Sequence, residues 1–281
     1  MKNGLYCFAN HFSSSIEHST RLRLKAKKSY GQHFLHRDDI AARIAASLTQ
    51  PYERVLEVGP GKGMLTKHLG APGRAVVAVE ADRDMVEYLD ARPPLEGLRV
   101  ISADFLQVDL SKTFDNQPFA LIGNFPYNIS SQILFKMLDY RDLIPEMVGM
   151  FQKEVAVRVV SGPGNKDYGV ISVLLQAFYE GKYLFSVDKS AFQPPPQVQS
   201  GVIRLLRKPQ PSLPCDEALF RSVVKITFGQ RRKMLRNTLR PFFSQQPEAL
   251  QDDFFLKRPE QLSVQDFIEL TLRVQETKNR T

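Results

Sequence analysis

The sequence contains no tryptophan, and its 281 residues include only two cysteines, Cys7 and Cys215. The two lie far apart, and neither belongs to a Cys-x-x-Cys pair or to a Cys/His spacing that binds zinc. This pattern excludes a disulfide-stabilised framework and a structural zinc site. We therefore expect a protein of a reduced, cytoplasmic compartment that needs no metal.

Long hydrophobic runs are missing as well. The most apolar stretch, residues 147–160, is interrupted by Lys153, Glu154 and Arg158, whereas a membrane-spanning helix needs about 18 consecutive apolar residues. The first residues have neither the basic start nor the apolar run of a secretory signal. We interpret residues 1–24 as a flexible tail and expect no membrane partner.

Acidic residues are too few to balance the basic ones. The chain has 30 Asp and Glu against 38 Lys and Arg, which gives a net charge of +8. Such an excess attracts polyanions, so nucleic acid is a favoured class of partner. A hydrophobic fraction of 43% excludes extensive disorder. The length suffices for one large domain or for a domain with a smaller companion.

From residue 54 onward, short β-branched or apolar segments alternate with longer amphipathic ones. This alternation is typical of an α/β protein, in which helices connect the strands of a parallel sheet. Two later strands, 179–187 and 198–207, are separated by a proline-rich turn and are expected to pair as an antiparallel hairpin. The five earlier strands are predicted at residues 54–58, 75–79, 98–102, 119–123 and 147–151.

Prolines in the segment 208–214 mark a break, and the pattern beyond it is helical. Residues 262–274 form one amphipathic stretch. We therefore predict an α/β domain over residues 25–207 and a small all-helical domain over residues 208–281. An earlier stretch of the helical region has apolar side chains at helical spacing on one predicted face: Val224, Phe228, Leu235 and Leu239.

A glycine-rich turn follows the first predicted strand, and a helical pattern begins after it at Met64. Gly59 and Gly61 allow the backbone to turn tightly and a ligand to approach it, because neither has a Cβ. Such a turn alone can be purely structural. Glu80, at the end of the second strand, strengthens the prediction, because an acidic side chain there can accept hydrogen bonds from a ribose diol.

Two ligand classes fit this pattern, and they differ in charge. A dinucleotide carries a pyrophosphate, whereas S-adenosylmethionine carries a sulfonium cation and no phosphate. Glu57 favours the second class, because its carboxylate can bind the methionine ammonium, although it could also merely hold the loop. Asp104 is placed to accept from an adenine amine, although a lone aspartate there often caps a helix. The predicted cofactor site comprises Glu57, Gly59, Gly61, Glu80 and Asp104, at the carboxyl ends of successive strands.

The fourth predicted strand is followed by Asn124, Phe125, Pro126 and Tyr127. The exocyclic nitrogen of adenine is a poor nucleophile, because its lone pair is delocalised into the ring. Two acceptors, the Asn124 side-chain oxygen and the Pro126 carbonyl, could localise that lone pair while Tyr127 stacks on the base. We predict a catalytic role for these residues, although an Asn-Pro turn can also be structural.

Five motifs stand out, at residues 31–35 (GQHFL), 57–61 (EVGPG), 124–128 (NFPYN), 190–198 (SAFQPPPQV) and 228–233 (FGQRRK). Together they resemble the bacterial small-subunit rRNA adenine dimethyltransferases, a family of class I methyltransferases, over about residues 27–274. The resemblance implies a Rossmann-like α/β sheet with a small helical domain and S-adenosylmethionine as the cofactor. It also implies N6,N6-dimethylation of two adjacent adenosines in the 3′-terminal hairpin loop of 16S rRNA, within the immature 30S subunit.

The resemblance assigns roles to further positions. It places His33 and Leu35 beside the cofactor and gives Asn124 a cofactor contact as well. Asn is commoner at the His33 position, and a partly exposed loop histidine is the alternative interpretation. Phe192 matches a second aromatic platform that would clamp a flipped adenine against Tyr127; alternatively, it packs under the proline-rich turn.

Basic residues cluster in two segments. One lies near the N-terminus, at Arg21, Arg23, Lys25, Lys27 and Lys28. The other is predicted to share a helix with the apolar face, so that one side packs while the other offers cations to phosphates. Such contacts position an RNA without reading its sequence. The residues predicted to bind RNA are Lys225, Arg231, Arg232, Lys233 and Arg236.

Three other functions remain open at this point. The protein could act mainly as an assembly factor that binds immature subunits, or it could methylate 23S rRNA in the manner of antibiotic-resistance enzymes. A nicotinamide-dependent oxidoreductase is the third possibility. The segment 229–236 and the helical tail favour the small-subunit enzyme, and nothing in the sequence demands more than a monomer.

Overall fold

The structure is a computed structural model that describes residues 27, 31–209 and 212–279. The predicted tail and most of the N-terminal basic cluster lie outside this part of the chain, as does Cys7. Seven strands form one sheet, and two short strands form a separate antiparallel ladder. The strands are β1 (Phe34–Leu35), β2 (Arg54–Val58), β3 (Ala75–Glu80), β4 (Arg99–Ser102), β5 (Ala120–Asn124), β6 (Glu146–Gln152), β7 (Tyr179–Val187), β8 (Phe192–Gln193) and β9 (Ser200–Arg207).

The large sheet has the order β4-β3-β2-β5-β6-β9-β7. The first five strands in this order, β4, β3, β2, β5 and β6, run parallel to one another. Strand β9 runs antiparallel to both β6 and β7. The predicted parallel sheet and its antiparallel pair are therefore confirmed. The order changes direction between β2 and β5, and at such a switch point the carboxyl ends of the strands leave a crevice that binds ligands.

The inner strands of the sheet are buried on both faces, which explains why they are almost continuously apolar, whereas the edge strands β4 and β7 are partly exposed. Leu56 belongs to a cluster on one face that also contains Phe220 and Phe267 of the C-terminal helices. Val55, the preceding residue, belongs to a second cluster with Ile44 on the other face. The helical region therefore packs directly on the sheet. The helices are α1 (Asp38–Ala45), α2 (Arg83–Ala91), α3 (Ser130–Asp139), α4 (Lys153–Val160), α5 (Val170–Gln176), α6 (Glu217–Gly229), α7 (Leu235–Thr238) and α8 (Val264–Asn279).

No helix in the described ranges combines the length and the apolar character that crossing a bilayer requires.

Two predicted helices differ from the structure. The segment after the glycine turn forms only a short 3-10 helix, Thr66–His68, because Gly63 has a φ of +76° and Gly70 follows the last turn. The single apolar face predicted from Val224 to Leu239 is divided between α6 and α7. Gly229 ends α6, and Leu235 begins α7 after an irregular turn at residues 230–234.

Candidate active site

A cavity of about 420 Å³ opens where β2 and β5 end, at the switch point of the sheet. Its lining comes from five segments of the chain, 31–35, 57–62 with 64–65, 79–81, 103–105 and 124–129. These segments bring together ten of the eleven residues predicted to bind the cofactor or the target base: His33, Leu35, Glu57, Gly59, Gly61, Glu80, Asp104, Asn124, Pro126 and Tyr127.

The glycine turn shapes the floor of the cavity. Gly59 and Gly61 have φ angles of +66° and +54°, which residues with a Cβ rarely adopt. A Cβ on Gly61 would also lie 3.1 Å from the ring of Phe34. The Gly61 N–H donates to Oε2 of Glu80 at 3.1 Å. The turn is thus held against the second strand, and its backbone stays open to a ligand.

Glu57 is a buried carboxylate in the wall of the cavity. Burial raises its pKa to about 8, and the nearby charge of Glu80 contributes in the same direction. Its Oε2 has no hydrogen-bond partner in the described part of the chain. A buried acceptor without a donor is costly, so this atom fits a cationic donor of a ligand, such as the ammonium of S-adenosylmethionine.

Glu80 accepts two structural hydrogen bonds and Asp104 accepts one, and both carboxylates keep acceptor capacity. Glu80 accepts the N–H of Asp82 at 2.9 Å through Oε1 in addition to the bond from Gly61, and burial raises its pKa. Asp104 accepts the N–H of Leu106 at 2.9 Å through Oδ1, so the helix-cap interpretation is correct. Its Oδ2 has no hydrogen bond within the described residues, so the cap does not prevent an additional contact with an adenine amine.

Lys136 does not line the cavity, but it supports the loop after Asp104, and the sequence did not reveal this role. From α3 its Nζ donates to the carbonyls of Leu106 at 2.9 Å and Val108 at 2.6 Å, and it lies 5.5 Å from the ring centre of Phe105. It therefore holds the loop that carries Asp104. Burial lowers the pKa of Lys136. A lone lysine in an amphipathic helix gives no sequence signal for such a role.

Asn124 ends β5 at the edge of the cavity. Its Nδ2 donates to the carbonyl of His33 at 3.1 Å, which leaves Oδ1 as a free acceptor within the described residues. The Pro126 carbonyl already accepts the N–H of Ile129 and the hydroxyl of Ser130, both at 3.3 Å, so a substrate N–H would be its third donor. The Asn124 oxygen is thus the better prepared of the two predicted acceptors.

Two contacts fix the side chain of Tyr127, one at its hydroxyl and one at the face of its ring. Its hydroxyl lies 2.6 Å from Oγ of the buried Ser200, and its ring stacks on that of His33 with centres 5.4 Å apart and planes inclined by 28°. Burial raises the pKa of the Tyr127 phenol, so the hydroxyl stays neutral. Ser200, at the start of β9, was not singled out by the sequence analysis.

Phe192 is the one predicted base-binding residue that the structure does not bring to the cavity. It is only 2% exposed and packs in the core on the β1 face of the sheet. The antiparallel ladder pairs Phe192 with Leu35. In this structure Phe192 packs as in the alternative interpretation and does not line the cavity, and its contact with a flipped adenine stays a prediction.

The family described as "Ribosomal RNA adenine dimethylase" matches residues 23–278. The chain belongs to this family. It is 52% identical over 255 residues to "Ribosomal RNA small subunit methyltransferase A" of Bacteroides thetaiotaomicron, a match that covers 90% of this chain and 95% of the relative.

Two solved structures share the fold of this dimethylase-family chain. A dimethyladenosine transferase from Plasmodium falciparum matches with a TM-score of 0.74 and 24% identity over 88% of this chain and 98% of its own. The 23S rRNA methyltransferase ErmE matches with a TM-score of 0.64 and 28% identity over 86% and 99%. The fold is therefore the Rossmann-like class I methyltransferase fold with a helical C-terminal region, as predicted.

The predicted RNA-binding residues of the dimethylase lie away from the cavity, in the helical region. Arg231 differs from the rest, because its guanidinium pairs with Glu260 at 3.1 Å and donates to the carbonyls of Asn165 and Lys166. The other four cations are exposed and form no salt bridge with another described residue: Lys225, Arg232, Lys233 and Arg236.

Proposed function

We propose that this protein transfers methyl groups from S-adenosylmethionine to the exocyclic N6 atoms of two adjacent adenosines in the 3′-terminal hairpin loop of 16S rRNA. Membership of the adenine dimethylase family and the small-subunit name of the relative with 52% identity support this substrate. The observation that carries the chemistry is the position of the Asn124 amide, whose free oxygen borders the same cavity as the acidic cofactor residues.

The residues present fit the donor. Glu57 offers a buried, unpartnered oxygen to an ammonium group, and Glu80 and Asp104 offer carboxylates to the ribose hydroxyls and the adenine amine. His33 and Leu35 complete the cofactor wall in this proposal, and both line the cavity. S-adenosylmethionine supplies an electrophilic methyl group on a sulfonium sulfur when it is bound.

The chain's own residues prepare the nucleophile. Asn124 Oδ1 accepts one N6–H, which localises the nitrogen lone pair, while the Pro126 carbonyl accepts the other. The ring of Tyr127, immobilised by Ser200, orients the base toward the methyl carbon. Positioning of the base and hydrogen bonds to N6 account for much of the rate acceleration, so no catalytic His or Ser is needed.

We further propose that the exposed cations of the helical region dock the protein on phosphates of the immature 30S subunit, in the cytoplasm. We expect the active form to be a monomer. Because these cations are separate from the cavity, a role as an assembly factor that binds immature subunits is a second candidate function.

The test is a methyl-transfer assay on 30S particles from cells that lack the modification, with the modified nucleotides mapped by primer extension. The wild-type protein should label two adjacent adenosines of the 16S 3′ hairpin, and Asn124→Ala should lower the rate at least about a hundredfold, as loss of a preorganised transition-state contact does elsewhere. Asn116→Gly, which removes an exposed amide from a turn, should have no effect.

Labelling of 23S rRNA alone would contradict the proposed substrate, and full activity of Asn124→Ala would contradict the proposed chemistry. The assembly role is tested in a strain that lacks the gene. If an Asn124→Ala protein that still binds particles restores subunit maturation, binding is the primary role; if it does not, methylation is.

A further inference from the structure

A base that binds at the Asn-Phe-Pro-Tyr corner leaves the rest of its nucleotide outside the cavity. The cavity is lined by the carboxylates of Glu57, Glu80 and Asp104, which repel phosphate. An adenosine that is flipped into the cavity therefore keeps its sugar and its flanking phosphates at the rim. A cation at the rim, beside the corner, is the kind of group that holds such a backbone in place.

Lys153 lies at this rim. Strands β5 and β6 pair so that Met150 stands opposite Asn124, and β6 continues through Gln152 to Lys153, the first residue of α4. Each strand residue advances about 3.3 Å, so Lys153 lies roughly 10 Å beyond the level of Asn124. It does not line the cavity. It therefore stands on the side of the sheet where the backbone of a flipped nucleotide has to lie.

A short chain of contacts connects Lys153 with Tyr127. The Lys153 N–H donates to the carbonyl of Gln199 at 2.9 Å, and its Nζ donates to Oε1 of the same residue at 3.0 Å. The next residue, Ser200, pairs with Gln152 across β9 and β6, and its Oγ lies 2.6 Å from the Tyr127 hydroxyl. The ammonium group and the ring of Tyr127 are thus positioned by two adjacent residues, Gln199 and Ser200.

The ammonium of Lys153 has no carboxylate partner among the described residues. Its hydrogen-bond acceptor is the neutral amide of Gln199. Glu154, the neighbouring acidic residue in the sequence, pairs with Arg158 at 2.5 Å, one turn further along α4. Lys153 is exposed, so a phosphate can bind it without breaking an ion pair. Exchange of one exposed hydrogen bond for a charge-assisted one is favourable.

We propose that Lys153 binds a phosphate that flanks the target adenosine and thereby positions the flipped nucleotide at Tyr127. This inference rests on the proposed function, and it adds a residue that the sequence analysis did not assign to RNA. Lys153 differs from the cations of the helical region because it acts at the reacting nucleotide. Its contact is complete only when the base is in the cavity, so it raises the rate of transfer in the bound complex and not only the affinity.

Lys208 offers a matched control at the opposite end of β9. It is also an exposed lysine, and its Nζ donates to a neutral acceptor, the carbonyl of Gln176, at 2.6 Å. Lys153 lies beside the start of β9 at Ser200, whereas Lys208 follows its end at Arg207. The length of the strand therefore separates the two lysines by roughly 25 Å. Lys208→Ala removes the same charge and a comparable hydrogen bond at the edge of the sheet that faces away from the cavity.

The experiment measures single-turnover methyl transfer to unmethylated 30S particles at saturating S-adenosylmethionine and increasing protein concentration. Lys153→Ala should lower the rate at saturating protein about tenfold, because a displaced base reacts more slowly. Lys153→Arg, which keeps a cation that binds phosphate, should retain at least about half of the wild-type rate. Lys208→Ala should match wild type. Lys233→Ala, in the helical region, should bind the particles more weakly but reach the wild-type rate at saturating protein.

A second measurement does not depend on turnover. The affinity for 30S particles is measured with S-adenosylhomocysteine, the demethylated donor, between about 50 and 200 mM salt. The slope of log affinity against log salt concentration should become shallower by about 0.7 in Lys153→Ala and stay unchanged in Lys208→Ala. The affinity for S-adenosylmethionine without particles should equal that of wild type in every variant, which shows that the cofactor site is intact.

The proposal is overturned if Lys153→Ala equals wild type in rate or in salt slope, or if Lys153→Arg is as slow as Lys153→Ala. It is also overturned if Lys208→Ala loses as much rate, or if Lys153→Ala regains the full rate at saturating protein, as a general docking cation would. Weakened binding of S-adenosylmethionine by Lys153→Ala would contradict it as well, since the residue would then support the cofactor site. A wild-type protein that does not methylate 30S particles would instead refute the proposed function.

Discussion

The cavity and the helical region of this protein carry opposite charge. In a chain with a net charge of +8, the cavity is lined by the carboxylates of Glu57, Glu80 and Asp104 and by a single cation, Lys62. The helical region instead exposes cations that form no salt bridge with described residues. They include Lys225, Arg232, Lys233, Arg236 and Arg240.

The separation of charge allows one small protein to use two ligands of opposite charge. The cations attract the RNA backbone, whereas the carboxylates favour a cationic methyl donor and repel phosphate. A nucleic acid can therefore enter the cavity only with an uncharged part, the base. Affinity for RNA and selection of the reacting atom are thus assigned to different regions of the fold.

The two regions also respond to different variables. The carboxylates of Glu57 and Glu80 are buried, so their ionisation is governed by desolvation and changes with pH. The cations are in contact with water, and salt screens them over about 10 Å at 0.1 M. A change of pH should therefore act on the cavity, and a change of salt concentration on the helical region.

The largest effect is expected from Glu57→Gln. The pKa of Glu57 is raised from its ordinary value to about 8 in the folded protein, so the folded state binds more protons than the unfolded state between about pH 4.5 and 8. The free energy of unfolding must then fall with rising pH across this window, by up to about 1.4 kcal/mol per unit. Glu57→Gln should lose this dependence and become the more stable protein near pH 8.

Urea unfolding of the ligand-free proteins at several pH values measures this difference. Binding of S-adenosylmethionine to the wild type at pH 7 should in addition release close to one proton, because the ammonium favours the ionised carboxylate; Glu57→Gln should release none. Glu87→Gln, a change at an exposed position of α2, is the control. Parallel pH curves for wild type and Glu57→Gln would show that Glu57 is ionised throughout.

A smaller effect is expected from the triple variant Arg232→Ala, Lys233→Ala, Arg236→Ala. Each lost phosphate contact lowers the slope of log affinity against log salt concentration by about 0.7–0.9. The slope for 30S particles should therefore become shallower by about 2, with an affinity loss of at least about tenfold near 0.1 M salt. The affinity for S-adenosylmethionine should stay unchanged.

The matched control removes the same amount of charge elsewhere, through Arg83→Ala, Arg92→Ala and Lys182→Ala, all exposed positions. If both triple variants lose the same affinity, the protein binds RNA through its overall charge. The helical region would then have no special role in RNA binding.

The sequence predicted the sheet well, because buried parallel strands leave continuous apolar runs. The seven predicted strands differ from β2 to β7 and β9 by at most two residues at an end. The cofactor residues were predicted because ligands of this fold bind where the strands end. Glycines and carboxylates at those ends are visible in the sequence as short motifs, such as Gly59 after β2 and Glu80 at the end of β3.

Contacts between distant segments could not be predicted in the same way. The stacking of His33 on Tyr127 joins residues from two motifs, and the burial of Phe192 depends on its ladder with Leu35. Arg231 belongs to this group too. In the sequence it stands beside Arg232 as one more cation of a basic run, and only the fold brings Glu260 to it.

The smallest effect is expected from Arg231→Ala, and it tests whether this cation belongs to the RNA-binding surface at all. Its guanidinium already has three partners, the Glu260 carboxylate and the carbonyls of Asn165 and Lys166. The pair is partly exposed, so its loss should cost only about 1 kcal/mol of folding stability, or about 2 °C in Tm. The salt dependence of RNA binding should remain that of wild type, whereas Arg232→Ala should make it shallower and leave Tm unchanged. If Arg231→Ala instead makes the salt dependence shallower and leaves Tm unchanged, Arg231 belongs to the RNA-binding surface. A phosphate would then have to replace Glu260 as its partner.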